Sequence, residues 1–187
     1  MTDLLRLLPI GVLLWLMLAV GFVFRRDVGR RDPRGLGIAL TFWVAIAANR
    51  NGATPPLLVS VLGVVGLLLA VALFHWAAFS IRGRVFSYAG NDDLPQFVHT
   101  AGPYAYLRNP FYASYLLVEI STVVMAPSVW GVAAIAAAAA YFQWLARFEE
   151  AKFARSPVAT EYHSYAHRTG RLLPRGLLRA KPGATAD

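Results

Sequence analysis

Leu57 to Phe79 reads LLVSVLGVVGLLLAVALFHWAAF, an apolar run of 23 residues near the middle of the chain whose only ionisable side chain is His75. A helix needs about 20 mostly apolar residues to cross the hydrocarbon core of a bilayer. Pro55 and Pro56 precede the run, and proline is favoured at the start of a helix. The sequence therefore predicts a membrane-spanning helix over these residues.

Four other apolar runs accompany this one. The last two are separated by Pro127-Ser128, which predicts a tight turn and an antiparallel helical hairpin. The second run is short, so it is either a tilted span or a re-entrant helix. The first run is followed by an arginine cluster rather than preceded by one, which is the reverse of a signal peptide. The four runs are Leu4 to Phe24, Leu36 to Ala48, Phe111 to Ala126 and Val129 to Leu145.

The composition separates this chain from ordinary soluble domains. Hydrophobic residues make up 57% of the 187 positions and charged residues 15%, whereas soluble domains carry about 25% charged residues. The chain has no cysteine. It therefore has no disulfide framework, no thiolate nucleophile and no cysteine-based zinc or iron–sulfur site.

The distribution of basic residues predicts the topology. If five runs cross the membrane, sixteen of the eighteen Lys and Arg residues fall on the side that holds residues 25–34, 81–110 and 146–187. The positive-inside rule makes that side cytoplasmic. The net charge of +8 is then explained by loops that face anionic lipid, and we expect no nucleic-acid partner. The prediction is an all-α, polytopic membrane protein with about five transmembrane helices.

One polar segment lies just before the fourth run. Gly102-Pro103 predicts a turn, and Asn109-Pro110 predicts the start of a helix whose N-terminus carries partial positive charge. With Arg108 beside it, this is a place where a carboxylate or phosphate could bind. Nearby tyrosines offer aromatic faces for a cation such as a sulfonium. The alternative is an aromatic belt at the membrane interface, with a snorkelling Arg108.

A second polar segment follows the fifth run. Arg147 and Glu150 are three residues apart and share a helix face, so Glu150 could hydrogen-bond ribose hydroxyls or an amine. The alternative is a solvated helix end with a surface ion pair. His163 and His167 are four apart, but no zincin glutamate follows His163, and we expect no metal site.

Glu119 is a carboxylate inside the fourth run. An ionisable residue within a membrane span indicates a functional site by default. His75 is a candidate partner for it. The alternative is an interhelical hydrogen bond.

Residues 102–112, GPYAYLRNPFY, resemble the Gly-x-Tyr-x-x-x-Arg-(His/Asn)-Pro-x-Tyr signature of the integral-membrane methyltransferases. These enzymes include isoprenylcysteine carboxyl methyltransferase and the phospholipid N-methyltransferases. Glu149-Glu150, the Tyr162 to Tyr165 segment and Arg171-Leu172-Leu173-Pro174 resemble the tail of the same family. The resemblance covers residues 95–175, in the right order around the hairpin.

The resemblance implies an S-adenosylmethionine-dependent methyltransferase. It implies a cytoplasmic cofactor pocket formed by the last two helices and the C-terminal tail, and a lipophilic acceptor that enters from the bilayer. Candidate catalytic residues are Arg147, which would orient the acceptor, and the carboxylates Glu150 and Glu119, which could accept a proton from an amine. The implied cofactor-binding residues are His99, Gly102, Tyr104, Arg108, Asn109, Pro110, Tyr112, Glu150, Tyr162 and Tyr165.

The predicted organisation has three parts. Residues 1–80 would hold about three transmembrane helices, residues 81–175 the methyltransferase core with its hairpin at 111–145, and residues 176–187 a disordered tail. The Ala- and Arg-rich composition favours a bacterial inner-membrane protein whose active site faces the cytoplasm. Two alternatives stay open: an NADPH-dependent reductase related to the sterol reductases, and a non-enzymatic lipid-binding protein. The sequence specifies neither the acceptor atom nor the oligomeric state.

Overall fold

The computed structural model describes residues 2–23, 33–49, 52–82 and 94–175. These residues form six α-helices and one 3₁₀ turn, Gly102–Ala105, and contain no β-strand. The predicted terminal tail, residues 176–187, lies outside the described residues, as does most of the arginine-rich loop at 25–34. The helices are α1 (Thr2–Val23), α2 (Pro33–Asn49), α3 (Leu57–Ser80), α4 (Pro110–Met125), α5 (Val129–Ala154) and α6 (Ala159–Arg168).

Each of the five predicted apolar runs forms a helix, so the all-helical prediction is confirmed for the described residues. Helix α5 continues beyond its apolar run, which ends at Leu145, to Ala154, and this agrees with the shared helix face predicted for Arg147 and Glu150. Two of the described helices, α3 and α5, are long and apolar enough to cross a membrane. Shorter apolar helices lie at Leu36–Ala48 and Pro110–Met125.

Helix α4 lies at the centre of the bundle. It packs against α1, α2, α3 and α5, and its closest partner is α3. The buried face of α3 repeats every three or four residues and alternates small with large side chains, as Ser60, Gly63, Leu67, Ala70, Phe74 and Ala77. A methyl group at Gly66 would collide with the Ser121 side chain of α4. Small residues therefore let these two backbones approach closely, as they do between membrane helices.

The outer surfaces of the long helices are apolar. Soluble monomers rarely expose large contiguous apolar patches, so the pattern is typical of a surface that contacts lipid. Tryptophans lie towards the ends of α3 and α5, where membrane proteins often carry them. Exposed side chains include Leu40, Trp43, Leu58, Leu62, Leu68, Leu69, Trp76, Trp130, Val132 and Trp144.

The hairpin turn between α4 and α5 fixes one end of the bundle. Ser128 caps α5 by accepting a hydrogen bond from the Gly131 amide at 2.9 Å, and its hydroxyl donates to the Ala48 carbonyl at 2.9 Å. The amide of Ala53 donates to the Pro127 carbonyl at 3.1 Å. The opposite end of the bundle therefore holds the end of α3, the start of α4 and the end of α5. The two polar segments, residues 102–112 and 147–174, lie at that end.

Candidate functional site

The two polar segments pair directly through their backbones. The Gly170 amide donates to the Tyr106 carbonyl at 3.0 Å, and the Arg108 amide donates to the Gly170 carbonyl at 2.8 Å. The Asn109 amide extends the pairing by donating to the Arg171 carbonyl at 3.2 Å. These bonds form a short parallel bridge that holds the tail after α6 against the loop before α4.

Glu150 joins the two segments through its side chain. Its Oε1 accepts hydrogen bonds from the Nε atoms of Arg108 and Arg171, each at 2.9 Å, and its Oε2 accepts from Arg171 Nη2 at 2.6 Å. We refer to Arg108, Glu150 and Arg171 as the ion triad. Charge-assisted hydrogen bonds of this kind are roughly twice as strong as neutral ones. The bond to Glu150 raises the pKa of Arg171 above its usual value.

Arg108 also holds the end of α6. Its Nη1 donates to the carbonyl oxygens of Ala166 at 2.8 Å and Thr169 at 2.6 Å. Cations stabilise helix C-termini because the last carbonyls have no partner within the helix. Among the described residues, the partners of the Arg108 side chain are Glu150 and two backbone carbonyls, so Arg108 holds the segment after α6 in place. The binding of an external anion by Arg108 stays a prediction.

Three aromatic rings pack beneath this bridge. The Tyr165 hydroxyl donates to the Tyr104 carbonyl at 2.7 Å, and the His99 ring meets the Tyr104 ring edge-on at 4.9 Å. Burial raises the pKa of Tyr165 to about 12 and raises that of Tyr104 as well. Both phenols are therefore neutral at physiological pH.

Tyr162 gives the triad an aromatic neighbour. Its ring stacks on Phe153 at 4.1 Å with an interplanar angle of 16°. Burial raises the pKa of the Tyr162 phenol above its usual value, and the nearby Glu150 carboxylate adds to the effect. A neutral ring beside a carboxylate suits a ligand that combines an aromatic base with a cation.

Gly102 anchors the loop to α3. Its φ of +61° lies in the left-handed region, where glycine is favoured. A Cβ atom there would lie 2.7 Å from Ser80 Cβ and 3.2 Å from Trp76 Nε1. The predicted turn at Gly102-Pro103 is confirmed as a 3₁₀ turn, and the predicted helix start is confirmed because α4 begins at Pro110 directly after Asn109.

The remaining predicted residues lie outside the triad. Arg147 is exposed on α5, one turn before Glu150. Tyr112 is buried and stacks on Phe142 of α5, with centroids 5.9 Å apart. Glu119 is also buried, and it lies further from the N-terminus of α4 than Tyr112 does. The site as described therefore brings together the loop and tail residues, while Glu119 belongs to the interior of the bundle.

Sequence reasoning assigned no role to Arg171 or Gly170. Arg171 supplies two of the three hydrogen bonds to Glu150, and a methyl group at Gly170 would collide with the Leu173 carbonyl. The available signal was the Arg171-Leu172-Leu173-Pro174 stretch, which carried part of the resemblance. Its partner lies 21 residues earlier, and spacing alone does not identify such a pair.

Two histidines lie on the exposed face of α6. His163 Nε2 and His167 Nε2 lie 3.4 Å apart on the exposed face. Across the parts of the chain that the structure describes, no three His, Cys, Asp or Glu side chains come close enough together to hold a metal ion.

A comparison with family models extends these observations. The model described as phospholipid methyltransferase matches residues 58–156, which is 99 of the 187 residues. The chain belongs to the phospholipid methyltransferase family. A search of the curated proteins found no match. The match includes α4, α5 and two members of the ion triad, Arg108 and Glu150. The family and the apolar helices together identify the protein as a membrane methyltransferase. Arg171 and the α6 tyrosines of this phospholipid methyltransferase family member lie beyond the matched region.

Proposed function

We propose that this protein transfers a methyl group from S-adenosylmethionine to a lipophilic acceptor that enters from the bilayer. The observation that carries the proposal is the ion triad with its aromatic neighbours at one end of a lipid-exposed bundle. The family supports methyl transfer and a lipid substrate. It does not favour the NADPH-dependent reductase.

The chemistry of the site suits S-adenosylmethionine. That donor carries a sulfonium, a carboxylate, an ammonium group, ribose hydroxyls and an adenine ring, and it supplies an activated methyl group when bound. Tyr162 and Phe153 offer an aromatic face, the Glu150 carboxylate can accept hydrogen bonds, and the Arg171 side chain is 27% exposed. We propose a donor site formed by His99, Gly102, Tyr104, Arg108, Asn109, Pro110, Tyr112, Glu150, Tyr162 and Tyr165.

The acceptor atom determines which carboxylate has a role. Methylation of a carboxylate needs no base, whereas methylation of an amine needs the neutral amine. Two guanidinium groups hold Glu150 as a carboxylate, so its main task would be to bind and orient. Exposed Arg147, one turn away at the same end of α5, would orient the acceptor. Glu119 would accept a proton only if the amine reaches the bundle interior.

We propose about five membrane crossings, with the ion triad facing the cytoplasm of a bacterial inner membrane. The proposed parts are three transmembrane helices within residues 1–80 and a methyltransferase core at residues 81–175. Two observations support this arrangement. The ends of α3 and α5 and the start of α4 meet at one end of the bundle, and five crossings would place sixteen of the eighteen Lys and Arg residues on that side.

The test is thermal stabilisation of the detergent-purified protein by S-adenosylmethionine, S-adenosylhomocysteine and NADPH. A ligand that binds only the native state adds about 2.7 kcal/mol of stability at a hundredfold excess over its dissociation constant. We expect stabilisation by the first two ligands only. A shift with NADPH alone would overturn the proposal, and no shift in folded protein would favour a lipid-binding role.

A matched pair of variants locates the site. Glu150→Gln removes the carboxylate of the triad, whereas Glu149→Gln removes the neighbouring carboxylate, which lies outside the triad and pairs with Lys152, with the closest atoms 3.1 Å apart. We expect Glu150→Gln to abolish the stabilisation by S-adenosylmethionine and Glu149→Gln to retain it. Equal behaviour of the two variants would argue against a donor site at the triad.

A further inference from the structure

The two histidines of α6 face each other through the same ring nitrogen. The Nε2 atoms of His163 and His167 are 3.4 Å apart, and the ring centroids are 4.5 Å apart with an interplanar angle of 70°. Residues four apart on a helix are neighbours on one face, and here that face is exposed. The pair therefore presents two imidazole nitrogens side by side to solvent, on a part of the molecule that the ion triad does not use.

The separation of the two nitrogens fits a metal chelate better than a direct hydrogen bond. Hydrogen bonds donated by protein N–H groups have lengths near about 2.9–3.0 Å, so this contact is long. Two nitrogens that are each about 2.0–2.1 Å from a zinc ion, at the tetrahedral angle, lie about 3.3–3.4 Å apart. The two Nε2 atoms thus already have the spacing of two ligands on one ion.

The donor set determines which ions the pair would take. Neutral imidazole is a ligand for zinc, copper and nickel, whereas magnesium and calcium need oxygen ligands. Within the part of the chain that the structure describes, no third His, Cys, Asp or Glu side chain joins the pair. The protein would therefore supply two ligands, and water would fill the other positions. Structural zinc sites have four protein ligands, so an ion held by two histidines would exchange readily.

The surroundings of the pair leave both rings available. Arg175 donates through Nη1 to the His167 carbonyl, so it contacts the backbone rather than the ring. His167 lies in the last turn of α6, where the partial negative charge of the helix C-terminus favours a cation. The neighbouring charge of Arg168 opposes a cation, which also favours an exchangeable ion over a permanently bound one.

An ion at this pair would act on α6 itself. The helix has ten residues, and isolated helices shorter than about 12–15 residues are marginal in water. The two nitrogens converge only when the turn between them is helical, so an ion that binds both stabilises that turn by mass action. The same turn carries Tyr165, whose hydroxyl donates to the Tyr104 carbonyl, and Ala166, whose carbonyl accepts from Arg108.

We infer that His163 and His167 form an exchangeable site for a divalent transition-metal ion of the zinc class, and that the bound ion stabilises α6. The inference is independent of the proposed methyl donor and of the lipid acceptor. It assigns the ion no part in methyl transfer.

The test is titration of the full-length protein with zinc by isothermal calorimetry, in detergent and with a purification tag that contains no histidine. We expect one zinc ion per chain. His163→Gln and His167→Gln should each weaken binding by about tenfold or more, because the second nitrogen binds an ion that the first already holds close by. Both positions are exposed, so neither change should disturb the fold.

Ser164→Ala is the matched control. It removes a hydroxyl on the same face that donates to the Thr160 carbonyl of its own helix at 3.3 Å, and it should leave zinc binding unchanged. Titration with magnesium tests whether any divalent charge suffices, and we expect no binding. Zinc affinity that survives either histidine substitution, or equal affinity for magnesium, would overturn the inference.

Two further measurements locate the ion and its effect. With copper as the probe, electron spin echo modulation should report two imidazole ligands in the native sequence and one in His167→Gln. Hydrogen exchange at the α6 amides, residues 159–168, should slow with zinc in the native sequence and in Ser164→Ala, but not in His167→Gln. A single imidazole in the native protein would reject the site, and unchanged exchange with zinc bound would reject its effect on α6.

Discussion

The Glu150 carboxylate accepts hydrogen bonds from two arginines, Arg108 and Arg171, and these arginines differ in their other contacts. Arg108 also holds the carbonyls at the end of α6, so its removal would disturb the tail as well as the charge. Arg171 makes the bidentate contact and is the more exposed of the two. It is therefore the better residue with which to separate ligand binding from folding.

We predict that Arg171→Ala weakens binding of S-adenosylmethionine by about tenfold or more, because one charge-assisted hydrogen bond from this guanidinium to the carboxylate of the donor would contribute about 1.5–3 kcal/mol. Arg171→Lys keeps the charge but loses the planar bidentate geometry, so we expect it to restore only part of the affinity. Isothermal titration of the detergent-purified protein measures both. Arg168→Ala, on the exposed face of α6, is the control. Unchanged affinity in Arg171→Ala would contradict a donor-binding role for this residue.

At the scale of helices, the contact between α3 and α4 positions the site. The small residues on the buried face of α3 let α4 approach, and Gly102 brings the loop against the end of α3. The N-terminus of α4 then lies where the tail can pair with the loop. A shift of α4 relative to α3 would therefore move Arg108 away from Glu150.

We expect Gly66→Leu to destabilise the protein by about 1–3 kcal/mol, the usual cost of overpacking a well-packed interior. The added side chain would meet Ser121 of α4. Val65→Leu, on the neighbouring exposed face, adds a similar side chain towards lipid and should change stability by no more than about 0.5 kcal/mol. Thermal unfolding in detergent compares the two. Similar midpoints would argue against close packing at this contact.

At the scale of the whole molecule, the absence of cysteine makes the proposed topology directly testable. Ala53→Cys places a thiol in the exposed connection beside the hairpin turn, and Thr160→Cys places one on α6 at the opposite end. In intact spheroplasts, we expect a membrane-impermeant maleimide to label Cys at position 53 only. Labelling at position 160 should require permeabilised membranes. The reverse pattern would place the ion triad outside the cytoplasm.

The helices and their ends were largely predictable because their signals are local. Apolar length predicted α3, prolines predicted the starts of α3 and α4, and Pro127-Ser128 predicted the hairpin turn. The end of α5 was not predictable from hydropathy. Its charged last turns from Arg147 onwards stay helical because α6 packs against them and Glu150 is bound by two arginines.

The sequence by itself determined that this chain is apolar and helical, and that its polar chemistry is concentrated in two segments near 102–112 and 147–174. Hydropathy, proline and glycine act over a few residues, so a linear pattern records them. Only the tertiary structure decided that Arg171 binds Glu150, that Arg108 holds α6, and that Glu119 is buried without a described partner. Arg108 and Glu150 are 42 residues apart, and such pairs depend on how α3, α4 and α5 pack.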